Sequence, residues 1–183
     1  MGHLGKALAE ASVDPSSITL IAFTHSHQDH VCGLLRRDGR EAFTNLGKIL
    51  IAEDAVAGFL DWPQLARFRS LLAPIRSGDR ITDHLRAVAI PGHAPGHVGF
   101  VLSTGEDNIV CCGDLIHVPA AQFARPELTW IYDDNQALAR ATRIKVLADA
   151  AHAHTWLVGA HLGRPGIGKV VKEGQGYTFM PVA

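Results

Sequence analysis

The chain contains no run of 18 apolar residues, so it offers no segment long enough to cross a bilayer as a helix. Its start, Met1-Gly2-His3-Leu4-Gly5-Lys6, lacks the apolar core of a signal peptide and the Ser or Thr that a myristoylation motif needs at position 6. Basic residues never cluster beyond Arg36-Arg37, and 17 Lys and Arg stand against 18 Asp and Glu for a net charge of -1. A nucleic-acid partner, which needs a positive face, is therefore not expected. Cysteine is scarce. Cys32, Cys111 and Cys112 are odd in number and two are adjacent, which gives no disulfide framework. Reduced thiols in the cytoplasm are expected for the chain as given, an export signal being left open if the chain is a fragment. Cys111 and Cys112, in the apolar run Ile109-Val110-Cys111-Cys112, read as small core fillers.

Neither a repeat nor a low-complexity linker divides the sequence, and 47% apolar content with 18 glycines and 9 prolines suits a globular fold, so one domain is expected over 1–183. The one skewed count is histidine, at 11, which points to metal or acid/base chemistry. Leu4, Leu8 and Ala11 fall at helical spacing before Val13-Asp14-Pro15. The short apolar run Ile18-Thr19-Leu20-Ile21-Ala22-Phe23 predicts a buried strand, and Lys48–Ala52 a second. Val31–Leu35, Glu53–Phe59 and Pro63–Leu72 read as helical, the last with proline in its first turn. Strands are predicted at Leu85–Ile90, His97–Leu102 and Asn108–Cys112, the last two joined by a loop over 103–107. Asn135 is placed to N-cap a helix running to about Ala151, and Thr155–Gly159 returns as a strand. Strands alternating with helices predict an α/β fold.

Directly after the first strand comes Thr24-His25-Ser26-His27-Gln28-Asp29-His30, with four potential ligands in six positions. In extended chain, residues i and i+2 point the same way, so His25 and His27 can grip one ion. As the backbone turns, Asp29 and His30 reach a second. Imidazole and carboxylate suit zinc, manganese, iron or cobalt. Pro91-Gly92-His93-Ala94-Pro95-Gly96-His97 adds one or two histidines between two strands, Cys112-Gly113-Asp114 a carboxylate, and Val158-Gly159-Ala160-His161 a last histidine. Each follows a predicted strand, the pattern expected if several strand ends converge on one site.

With these residues the sequence resembles the metallo-β-lactamase superfamily, whose di-metal hydrolases carry H-x-H-x-D-H, a later histidine, a bridging aspartate and a final histidine in this order. The resemblance implies an αβ/βα sandwich, here without the usual N-terminal strands. It implies His25, His27 and His97 at a first metal, Asp29, His30 and His161 at a second, and Asp114 between them, with His93 behind the ligands. The implied cofactor is two divalent ions, zinc foremost, with manganese, iron or cobalt as alternatives. Gly113–Phe123, Ala160-His161-Leu162, Pro165–Gly168, Gly174–Tyr177 and Pro181-Val182 look like the methyl parathion hydrolase-type branch, although Arg164 stands where that branch often has an aromatic residue.

The function expected from that resemblance is hydrolysis of an ester-type bond, in an organophosphate triester, a lactone or an activated ester. A hydroxide shared by the two ions would attack, with Asp29 orienting it or taking its proton and Asp114 also in the catalytic set. Cys32 is read as packing, and His117 as either a supporting or a structural residue. Phe59, Trp62, Phe123 and Trp130 are candidates for the substrate wall. The expected partner is a small molecule, without nucleic acid or membrane. A homodimer is expected if a second copy covers an open sheet edge. The alternative reading is a truncated, non-catalytic metal-binding or interaction module. Electron transfer is weaker, because the chain holds no flavin-binding domain.

Overall fold

The computed structural model describes residues 4–105 and 107–182, in two compact units, Met1–Ile75 and Arg76–Ala183. Met1-Gly2-His3, Glu106 of the 103–107 loop and Ala183 lie outside the described residues.

The first unit opens on helix α1 (Leu4–Glu10), which buries none of its side chains. Its sheet is parallel, in the order β1 (Leu20–Ala22), β2 (Lys48–Ala52), β3 (Leu72–Ile75). A central parallel strand is covered on both faces, and Ile49, Leu50, Ile51 and Ala52 of β2 are accordingly all buried. The predicted first strand is shorter than its apolar run and is not buried: Leu20 is 41% exposed, because β1 lies at the sheet edge. Phe23 N–H still donates to Leu50 O at 2.9 Å, which carries the strand direction into the histidine motif. The motif then turns into helix α2 (Gln28–Val31) and a 3-10 turn, Cys32–Leu34. The helix expected from Val31 thus begins three residues earlier, inside the ligand cluster. A 3-10 turn (Glu53–Ala55), helix α3 (Val56–Leu60) and a 3-10 segment (Pro63–Leu71) match the helical expectations. Strand β3 was not foreseen, since Pro74 reads as a breaker, but an edge strand tolerates a residue without an N–H.

The second unit is one six-stranded sheet in sequence order: β4 (Leu85–Ala89), β5 (Val98–Ser103), β6 (Asn108–Cys111), β7 (Trp156–Val158), β8 (Ile167–Glu173) and β9 (Gly176–Pro181). All neighbours are antiparallel except β6 and β7. A parallel pair needs a crossover, supplied by helices α4 (Pro119–Gln122) and α5 (Gln136–His152). Asn135 caps α5 as expected, its Oδ1 accepting Leu138 N–H at 3.0 Å. The buried stripe of α5 is Ala139, Arg143, Leu147 and Ala150. It contributes to a core with Ile90, Cys112, Leu115, Ile116, Phe123, Leu157, Leu162, Val170 and Tyr177. The β8–β9 hairpin was also not foreseen, because its glycines stand out in the sequence more than its alternation.

Pairing positions the chain segments that matter. The register Cys111↔Val158 sets the ends of β6 and β7 side by side, Phe100↔Cys111 brings the start of β5 to the same end, and Ala89↔Val98 brings the end of β4. Three segments that carry histidine or aspartate, the β4–β5 loop and the chain after β6 and after β7, therefore lie at one end of the sheet.

Candidate metal centre

In the first unit, the extended backbone of His27 (φ -64, ψ 152) precedes the first turn of α2. His25 is fully buried. Its ring centroid lies 4.6 Å from that of His27 and 4.1 Å from that of His30, so one strand end and one helical turn gather three imidazoles. Asp29, exposed, sets its Oδ2 3.5 Å from His30 Nε2. Ser26, between the two histidines, faces away, and a Cβ at Gly58 of α3 would sit 2.5 Å from its Oγ. Trp62 Nε1–H donates to Ser26 O at 3.1 Å and fastens the same loop.

In the second unit the ligand loop between β4 and β5 is tied to the start of α5. Asn135 N–H donates to Gly92 O at 2.9 Å and Asp134 N–H to His93 O at 3.1 Å. Gly92 has φ 122, and a Cβ there would lie 2.2 Å from Ala139 N, so only glycine fits this approach. The Asp114 carboxyl, 3% exposed, follows β6. Its Oδ2 lies 3.1 Å from His161 Nε2, 3.2 Å from His117 Nε2 and 3.3 Å from His93 Nε2. His117, flanked by the stacked rings of Trp130 and His161, makes no hydrogen bond through either buried ring nitrogen. Three imidazole nitrogens thus crowd one carboxylate oxygen at 3.1 to 3.3 Å. A divalent cation among these nitrogen and oxygen donors would satisfy them, so the residues fit the metal.

The two histidines of the loop meet Asp114 in different ways. His97 Nε2 accepts Asp114 N–H at 3.2 Å, so that nitrogen holds the backbone of the aspartate. His93, expected behind the ligands, sends Nε2 toward the Asp114 carboxylate, while its Nδ1 lies 3.0 Å from Asp133 Oδ1. Burial opposes charge on His93, but the Asp114 and Asp133 carboxylates outweigh it and lift the imidazole from 6.5 to about 9. Burial also opposes charge on Asp133, whose carboxyl is nevertheless held below its usual range by His93 and the Arg143 guanidinium.

Sequence reasoning missed Asp133, Arg143 and Gln122. Gln122 Oε1 accepts His117 N–H at 2.8 Å and Val118 N–H at 3.0 Å, fixing the backbone after Asp114. A signal for Arg143 was present, since it falls on the i, i+4, i+8 stripe of α5 where the neighbours are apolar. Of the four aromatic candidates, Phe59 and Phe123 are core residues at 0% and 4% exposure. Trp62 and Trp130 adjoin ligand-bearing segments of their own units. Burial pushes the Cys111 and Cys112 thiols up, so neither is a thiolate nucleophile.

The α/β layout with parallel and mixed sheets, and histidine and aspartate at the strand ends, define a metallohydrolase-type fold. A family model for the metallo-beta-lactamase superfamily matches residues 2–161, and the chain belongs to that superfamily. Hydroxyacylglutathione hydrolase of Saccharophagus degradans is 31% identical over 107 residues, covering 55% of this chain and 35% of that protein. The enzyme of the same description from Acidiphilium cryptum is 30% identical over 96 residues, covering 52% and 34%. The chain spans about a third of the length of these curated relatives. Among solved structures, hydrolase AbOPH of the beta lactamase superfamily matches with a TM-score of 0.90 at 27% identity, over 100% of this chain and 70% of that one. AidC, a dizinc quorum-quenching lactonase, matches in fold with a TM-score of 0.87 at 23% identity, over 100% and 70%. No described helix is long and apolar enough to cross a membrane.

Proposed function

We propose that this chain is a metal-dependent hydrolase acting on an ester-type bond in a small molecule, a lactone, an organophosphate triester or an activated ester. The observation that carries the reading is the buried Asp114 carboxylate with three imidazole nitrogens around one oxygen. Superfamily membership and the relatives' hydrolase names support it. We assign His25, His27, Asp29 and His30 of the first unit and His93, Asp114 and His161 of the second as metal ligands, with His97 holding the Asp114 backbone. The chemistry that two divalent ions, zinc first among them, would supply when bound is a water of lowered pKa and stabilisation of the oxyanion of an attacked ester. The protein's own groups do the rest. Asp29, the exposed carboxylate of the set, orients the attacking water and takes its proton at a carboxylate oxygen. Asp133 and Gln122 hold the His93 ring and the His117 backbone in place. Two copies pairing along the outer edge of β1 form a homodimer in this reading, which light scattering decides.

The decisive experiment loads the purified chain with zinc. It then offers an N-acyl homoserine lactone, a nitrophenyl phosphotriester and a hydroxyacylglutathione. Turnover of at least one, lost in Asp114→Asn, is the expected result. Complete inactivity with two ions bound overturns the reading in favour of a metal-binding module.

A further inference from the structure

Behind His93, Asp133 is itself one half of a buried ion pair. Asp133 and Arg143 have side chains 0% and 1% exposed, and Asp133 Oδ2 lies 3.3 Å from Arg143 Nη2. Burying two charges is costly unless both are paired and hydrogen-bonded, and a pair of apolar residues would fill the same space more cheaply. The contacts of this pair lead toward the segments that carry His93 and Asp114. Arg143 Nε donates to Leu115 O at 2.8 Å, the carbonyl next along the chain from Asp114. Its Nη1 donates to Leu128 O at 2.6 Å and Pro126 O at 3.4 Å, fixing the loop that leads to Asp133. The other oxygen of Asp133 faces His93 Nδ1 at 3.0 Å. One guanidinium thus clamps both the backbone beside Asp114 and the carboxylate that faces His93.

We propose that Asp133, held by Arg143, is a positioning residue: it keeps the His93 proton on Nδ1 and so presents the Nε2 lone pair, beside the Asp114 carboxylate, to a divalent cation. A histidine ligand must offer a bare nitrogen, and an acceptor on the other nitrogen fixes which one is bare. Arg143 sets the spacing, because the same side chain holds the segments that carry His93's partner and Asp114. The inference rests on the metal-dependent reading above and adds to it two residues outside the ligand set.

The test uses the full chain as wild type, Asp133→Asn and the double variant Asp133→Asn with Arg143→Met. Asp133→Asn leaves a buried cation unpaired and lowers the melting temperature, whereas the double variant removes both charges and restores it. Zinc affinity, measured by competition with a chromophoric chelator, is expected to fall about 10- to 100-fold in both. Long-range nitrogen–proton NMR on metal-free protein, recorded above pH 9 where the imidazole is neutral, is expected to show His93 with its proton on Nδ1 in wild type, and mixed tautomers in the variants. Zinc affinity that recovers together with the melting temperature in the double variant makes the pair structural and overturns the proposal. An Nε2-protonated His93 in wild type overturns it as well. Wild type that takes up no zinc defeats the hydrolase reading instead, and the tautomer measurement on metal-free protein still decides this one.

Discussion

Asp114 is the residue with most at stake, since three imidazoles converge on one of its oxygens. Elemental analysis of the unaltered protein is expected to find about two metals per chain, falling to one or none in Asp114→Ala. His93→Ala is expected to lose metal as well, while His97→Ala keeps it and loses about 1 kcal/mol of stability with the Asp114 N–H bond. Equal metal content in the two histidine variants would sink this assignment. The pH dependence of the metal-free protein follows from His93. Its folded pKa, about 9, lies above the ordinary 6.5, so the stability it contributes is complete below 6.5 and is lost as pH rises through about 9. Melting temperatures in the presence of a chelator should fall between those values. Metal loading has the opposite trend, because a ligating imidazole must be neutral. At this scale the crowding of His25, His27 and His30 was legible, because residues so near in sequence at one strand end need no tertiary information. Which histidine of Pro91–His97 turns Nε2 toward the Asp114 carboxylate was not, because both follow Pro-Gly and only the pairing to α5 and β6 separates them.

Elements decide how firmly the ligand segments are held. The loop after β4 approaches the first turn of α5 so closely that Gly92→Ala forces its new carbon against Ala139 N at a φ of 122. A loss above about 2 kcal/mol is expected, read as a fall in melting temperature. Gly39→Ala, at φ 79 with nothing within 4 Å, is the control and should cost about 1 kcal/mol. Similar losses in both would mean that backbone strain alone, without the α5 approach, accounts for the effect. Lys48–Ala52, the 85–112 strands and the Asn135-capped helix were readable because their apolar patterns and caps are local. Strand β3 and the β8–β9 hairpin were not. Pro74 and the glycines at 174 and 176 are breakers in isolation, and only a position at an edge or a tight turn makes them compatible with pairing.

For the molecule as a whole, the parallel pairing of β6 and β7 determines when the ligand set is assembled as well as where. Asp114 and His161 are neighbours only because 47 residues of crossover have closed between them, and loop closure of that length precedes any reward from contact. The ligand end of the second unit is therefore completed late in folding. A bound ion then acts on the finished state and hardly on the route to it. Zinc is expected to slow unfolding by most of the stabilisation it provides and to leave the refolding rate nearly unchanged, as measured by stopped-flow fluorescence of the tryptophans with and without metal. Refolding that accelerates in proportion to zinc would show the ion gathering its ligands early. On this account the crossover makes metal occupancy a brake on unfolding, and the lifetime of the folded chain follows metal supply.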